Sequence, residues 1–192
     1  MAGDSRAWAR TIFAGDSIAG EEQKHLSAAQ LELALEAAQV SFVSRWGLLE
    51  AVVVRCNDGS REQPIQCLLT VDGGLSRDRW STGKAKPGDQ ISMMNLDVAA
   101  TIANGQSIAL FGDNLFTRLD LREENLPVGA RLRVGEAILE ISAKPHMPCD
   151  RFRTRFGAAS FERTAKQPRL RGVYLTVLEG GSIALGDPIR RA

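Results

Sequence analysis

From Leu48 onward the chain is cut into short apolar runs, "LLEAVVVR", "PIQCLLTV", "DQISMMNL", "SIALFG", "RLRV", "AILEIS" and "GVYLTVL". Each is closed by Gly, Asn or Asp punctuation such as "NDGS", "VDGG", "ANGQ", "FGDN" or "LEGGS". Runs of that length, rich in β-branched residues, read as strands, and the punctuation supplies the residues that tight turns need. About seven short strands would leave rows of unpaired backbone N–H and C=O groups at any open edge, and closing the sheet on itself removes the edges. The expected fold is therefore mainly β, a closed or nearly closed barrel, with short additional helices. Alternation in "GVYLTVL" puts Val173, Leu175 and Val177 on one face and Tyr174 and Thr176 on the other.

The sequence before this region follows a different period. Residues 1–25 mix small, polar and charged types and read as an arm. Ser27 and Gln30 form a capping box, Leu26 is placed to staple onto Leu31, and Leu31, Ala34, Leu35, Ala38 and Phe42 recur at helical spacing. The spacing predicts an amphipathic helix ending near Gly47. The expected organisation is an arm and helix over 1–45 and a barrel domain over 46–192. Such a helix docks on a core or on a second copy of the chain, so a homodimer would form through residues 27–45.

Charge and cysteine content narrow the function. With 24 basic and 23 acidic residues the formal charge is +1, so the molecule as a whole has no electrostatic pull toward nucleic acid or an anionic membrane. No apolar stretch approaches the roughly 20 residues of a membrane span, and the N-terminus lacks an export signal, which together give an expectation of a cytoplasmic protein. Three cysteines in that setting are expected as free thiols, Cys56 and Cys67 inside strand-like runs as core residues. His146 and Cys149 are three apart, but no second ligand pair accompanies them, which argues against a closed zinc site. P-loop, G-x-S-x-G, G-x-G-x-x-G and EF-hand patterns are absent, against nucleotide hydrolysis, serine hydrolysis and calcium binding.

One segment breaks the neutrality. From Lys144 to Arg171 there are 8 Lys or Arg residues against Asp150 and Glu162, and "KPHMPCDRFRTRFG" holds Cys149 between Pro148 and a run of arginines. Pro145 and Pro148 discourage both ladder and helix, so Cys149 is expected on a rigid loop leaving a strand. Nearby cations favour thiolate over thiol, the form that attacks sulfur or binds a soft metal, and arginines hold phosphate bidentately. The segment thus suits an anionic, phosphate-bearing ligand with a sulfur-seeking or metal-bearing end. The competing reading makes Cys149 a small buried hydrophobe and the arginines a solvated face. Alternating Arg and Phe would also suit single-stranded nucleic acid if the rings were exposed, but the chain carries no RNA-binding signature, and nucleic acid is not the expected partner.

Taken in order, "GGLSRDRW" (73–80), "FGDNLFTRLDLREENLPVGARLRVGEAILEIS" (111–142), "KPHMPCDRF" (144–152) and "RGVYLTVLEGGSIALGDPI" (171–189) resemble the MOSC family, the molybdenum cofactor sulfurase C-terminal type domain. The resemblance covers roughly 48–190. It implies a barrel related to that of the pyruvate kinase barrel domain. It further implies that Cys149, the Pro-Cys cysteine, carries sulfur to, or ligates, the molybdenum of a pterin cofactor (molybdopterin). On that reading Lys144, Arg151 and Arg153 offer phosphate contacts while Asn114 and Arg79 shape the site. The family often has Gly-Asp-[RK]-His where this chain has "SRDRW", so Asp78 and Arg79 match and Trp80 replaces the histidine. Some relatives are fused to a pyridoxal-phosphate-dependent desulfurase, which this sequence does not include; sulfur would come from a separate desulfurase. The resemblance also admits a reductase of N-hydroxylated compounds fed by an external electron donor. A binding or interaction domain with a structural Cys149 is the reading from another class.

Overall fold

The computed structural model describes residues 10–13, 19–39, 42–43, 45–82 and 88–192. In chain order the elements are β1 (Arg10–Phe13), α1 (Ala28–Gln39), β2 (Trp46–Val52), β3 (Val54–Arg55), β4 (Arg61–Gln63), β5 (Gln66–Thr70), β6 (Gly74–Leu75), β7 (Ile91–Asn95) and α2 (Leu96–Ala103). They continue with β8 (Leu115–Thr117), β9 (Arg131–Val134), β10 (Ala137–Pro145), α3 (Asp150–Lys166), α4 (Pro168–Arg171), β11 (Val173–Glu179), β12 (Gly181–Ala184) and β13 (Pro188–Arg191). Seven strands close a barrel in the order β10-β11-β7-β8-β2-β13-β9, with β9 pairing back to β10. β7 and β8 run parallel, joined through α2; every other barrel pair is antiparallel. Two three-stranded sheets, β1-β4-β3 and β12-β5-β6, flank it.

The alternation of β7 and β8 explains the layout. Met93 and Leu115 point into the barrel with Leu49, Leu132, Val134, Leu139, Leu175, Val177 and Ile189. Their neighbours Met94 and Phe116 point outward into a second core with Leu31 and Leu35 of α1, Val98 and Ile102 of α2, and Phe152 and Phe156 of α3. Both faces of these two strands are therefore covered, and all five residues of "ISMMN" are buried. In β11 the expected face holds: Val173, Leu175 and Val177 are buried and Tyr174 and Thr176 half-buried.

The N-terminal helix forms with the anticipated cap. Ser27 N donates to Gln30 Oε1 at 3.0 Å and Gln30 N to Ser27 Oγ at 3.4 Å. It ends at Gln39, however, not near Gly47. Gly47 lies inside β2, where an added Cβ would stand 2.7 Å from Thr117 Oγ1; the glycine permits close approach of the next strand rather than ending a helix. Of the N-terminal arm, residues 10–13 pair with β4, and 1–9 and 14–18 lie outside the described residues. "SIALFG" is a second correction. It is a 3-10 helix (Ile108–Phe111), because Ser107 Oγ caps the Ala109 N–H at 3.3 Å and Gly112 at φ 74° stops it. α2 follows β7 without a loop, since Asn95 Oδ1 accepts from the N–H groups of Asp97 and Val98.

Gly172, between α4 and β11, is the tightest backbone crossing into the barrel. Its φ is 105° and a Cβ there would stand 2.2 Å from Met93 O. We expect Gly172→Ala to lower stability by about 3 kcal/mol, from left-handed strain plus a clash with backbone that cannot yield. Gly186→Ala (φ 86°, nothing within 4 Å of a Cβ) should lose only the strain, about 1 kcal/mol. Urea midpoints at unchanged slope measure both.

Candidate functional site

At the open end of β10 the chain leaves the barrel through Pro145, which still pairs with Val173 across an irregular register, runs extended to Cys149, and enters α3. Cys149 is the N-cap of that helix: Arg153 N donates to Cys149 O at 3.1 Å, and its side chain makes no capping hydrogen bond. It is exposed, not a buried hydrophobe. Cys56 and Cys67 are partly buried against the barrel core, and burial pushes the Cys67 thiol up to about 11. The phenylalanines of "RFRTRFG" turn inward on α3, Phe156 stacking on Phe111 at 4.0 Å with Phe152 at 5.1 Å, so they present no stacking surface.

Cys149 stands at a cleft of about 180 Å³ lined, among the described residues, by six arginines, Arg55, Arg61, Arg79, Arg151, Arg155 and Arg171, together with His146 and Tyr174 and by no carboxylate. The arginines come from β3, the start of β4, the turn after β6, α3 and α4, so the cleft exists only when the barrel and its helical cover are assembled. Arg55 is fixed by Asp78, whose Oδ1 and Oδ2 accept from its Nη2 and Nε at 2.7 and 2.9 Å. Asp78 also accepts from the N–H groups of Arg55 and Trp80 and from Asn114 Nδ2 at 2.9 Å. Burial alone would raise the Asp78 carboxyl, but Arg55's hydrogen bonds and charge outweigh it and hold it below the ordinary value. Arg155 and Arg171 are 4% and 5% exposed, and each donates to a carbonyl at the C-terminal end of the 3-10 helix, Leu110 O at 2.6 Å and Phe111 O at 3.3 Å. Arg171 also pairs with the fully buried Asp113.

The residues expected from the sequence divide. Cys149, Arg79 and Arg151 line the cleft together. Asn114 lies beneath it, accepting from Ser92 N and Oγ at 3.2 Å while donating to Val53 O and Asp78, so it ties β7, the β2–β3 junction and the Asp78 turn into one floor. Lys144 reaches sideways to Asp89, which also accepts from Trp80 Nε1 at 2.9 Å. Trp80 thus braces the flank. Arg153 is exposed and lies 4.9 Å over the Phe161 ring. His146, Arg155 and Arg171 belong to the basic segment around Cys149, though the sequence assigns none of them a site role, while Arg55, Arg61 and Asp113 lie outside it; for Arg55 the one sequence signal is a charge closing the apolar run "AVVVR".

Among the described residues no three His, Cys, Asp or Glu side chains are placed to hold a metal ion, and no helix is long and apolar enough to cross a membrane.

The family model that matches the chain is "MOSC domain", over residues 77–190. Among solved structures, the YuaD protein from Bacillus subtilis superposes with TM-score 0.58 at 17% identity over 75% of this chain and 94% of its own. YiiM from Escherichia coli does so with TM-score 0.53 at 21% identity, over 76% of this chain and 69% of its own. YiiM from Geobacillus stearothermophilus gives 0.52 at 17%, over 76% and 75%. A search of curated proteins finds no match.

Asp78→Asn should remove the charge that fixes Arg55 and cost about 3 kcal/mol near neutral pH. Because the folded carboxyl is held below its unfolded value of about 3.9, its contribution is complete above that value and is lost as pH falls through the folded one. Wild type and variant should therefore converge in stability as acid is added below about pH 4, which urea unfolding at neutral and acid pH would show.

Proposed function

Because the chain belongs to the MOSC domain family, we propose that the arginine-lined cleft holds the phosphorylated pterin of the molybdenum cofactor, with Cys149 as the side chain that ligates the molybdenum or carries sulfur to it. The observation that carries this reading is an exposed cysteine opening onto six guanidiniums, with no carboxylate among the described residues that line the cleft. The donor set fits both ends of such a ligand: guanidiniums suit phosphate oxygens, and thiolate suits a soft metal. When bound, the cofactor supplies a two-electron redox centre; the chain supplies its seat. Phosphate contact falls to the arginines lining the cleft, among which Asp78 and Asp113 orient Arg55 and Arg171. Lys144 and Arg153, expected to share that role, are engaged with Asp89 and the Phe161 ring. Asn114 sets the floor. The sulfur-carrying variant of this reading needs a separate desulfurase as partner.

A reductase of N-hydroxylated compounds with an external electron donor is the second reading, and one feature favours it: His146 lines the cleft with Asp113 buried behind it, an acid–base pair that sulfur carriage alone does not require. An interaction domain with a structural cysteine has less support, since Cys149 is exposed and packs in neither core.

Protein purified from a cofactor-producing host should contain molybdenum and pterin, and Cys149→Ala should lower the molybdenum content about tenfold or more while unfolding at the same urea concentration, the side chain being exposed. Molybdenum retained in full by the variant would remove Cys149 from the metal site. Absence of metal from both would leave a transient sulfur carrier, which a persulfide assay on Cys149 decides.

A further inference from the structure

Three polar atoms of one buried cluster behind the cleft lack a hydrogen-bond partner: Asp113 Oδ1, His146 Nδ1 and Arg171 Nε. The first two face each other at 3.5 Å, while the other Asp113 oxygen is taken by Arg171. His146 is 5% exposed, lines the cleft, and packs its ring on Tyr174 at 4.1 Å. With Nδ1 turned to Asp113, Nε2 is the ring nitrogen left for a ligand. The groups facing His146 come from several elements: Asp113 from the turn before β8, Arg171 from α4, Arg55 from β3, Tyr174 from β11, and Lys144 from β10, which ends just before His146.

We propose that the cleft takes up its anion together with one proton, the proton residing on His146 between Asp113 and the bound ligand. This rests on the reading of the cleft as an anion site. A buried imidazolium is tolerated only when both of its N–H groups have acceptors and a nearby negative charge balances it. With no anion in the cleft it would have Asp113 on one side and, on the other, solvent amid arginines with no negative charge to balance it. Burial, then the charges of Arg171, Arg55 and Lys144, accordingly hold the His146 pKa well below its ordinary value. Burial also pushes the Asp113 carboxyl up, with Arg171 pulling it back.

An oxyanion entering the cleft reverses each term. It cancels the arginine field, accepts from Nε2–H, and lets Nδ1–H close on Asp113 Oδ1. An opposite charge at that range raises a pKa by about 1–3 units. The ligand class is an oxyanion of phosphate or sulfate type, and the result is a general acid at the cleft that is present only when the cleft is filled.

Sulfate is the probe, since it remains a dianion near neutral pH and any proton taken up belongs to the protein. Calorimetric titration at about pH 6, just under the ordinary histidine value of about 6.5, in two buffers of different ionisation enthalpy should show net proton uptake on sulfate binding, up to about one per sulfate. Affinity should rise as pH falls, approaching about tenfold per unit. The chain has two histidines, so nitrogen-15 histidine spectra of the wild type, assigned with His25→Gln, should show His146 passing from neutral imidazole to imidazolium on sulfate addition. His146→Gln should bind sulfate without proton uptake. Sulfate binding with no uptake and an unchanged His146 spectrum overturns the coupling and leaves the anion cleft standing. Failure to bind sulfate at tens of millimolar overturns both.

Discussion

The parallel pairing of β7 with β8 is the constraint from which the remaining architecture follows. A parallel pair needs a crossover, and here α2 provides it, capped by the last residue of β7 itself. The crossover places a helix against the outside of the barrel wall, so Met94 and Phe116 are buried there as completely as Met93 and Leu115 are within. α1 and the first turns of α3 then pack on α2 and the same wall. Cys149 has its position because Phe152 and Phe156, one and two turns further on, are committed to that second core.

Concentrating guanidiniums in a small cleft opposes folding unless each has something behind it. The protein meets this in two ways. Arg55 and Arg171 face carboxylates, Asp78 and Asp113, that are themselves almost wholly buried. Arg155 and Arg171 also use carbonyls at the end of the 3-10 helix, where the backbone carries excess negative partial charge. The carboxylates sit behind the arginines and so orient them without neutralising the face offered to a ligand.

What the sequence disclosed was what depends on local pattern. Strands with regular alternation or bounded by glycine turns were legible, as were the Ser27 cap and the cysteine segment. The short helices were less so: "SIALFG" has the apolar content of a strand, and only its Ser and Gly ends mark it as a 3-10 turn. Gly47 looked like a helix stop because close approach to Thr117 is a tertiary fact. Half of the site was hidden for the same reason. Asp113 reads as a turn residue in "FGDN" and Arg55 as the end of a strand, and their roles arise only when β3, α4 and β8 meet.

Gly157 interrupts α3 at φ 85° and ψ 166°, and the carbonyl of Arg155, deprived of a partner within the helix, is taken by Gln106 Nε2 at 3.1 Å and the His25 ring at 3.2 Å. The helix is thereby two levers joined at a pinned joint. Its first half answers to the cleft; its second half, with Arg163 paired to Glu32 of α1, answers to the helical cover. Sequence drift that lengthens or re-aims the second lever turns about the joint and does not swing the cysteine, so the outer surface is free to diversify around a fixed centre.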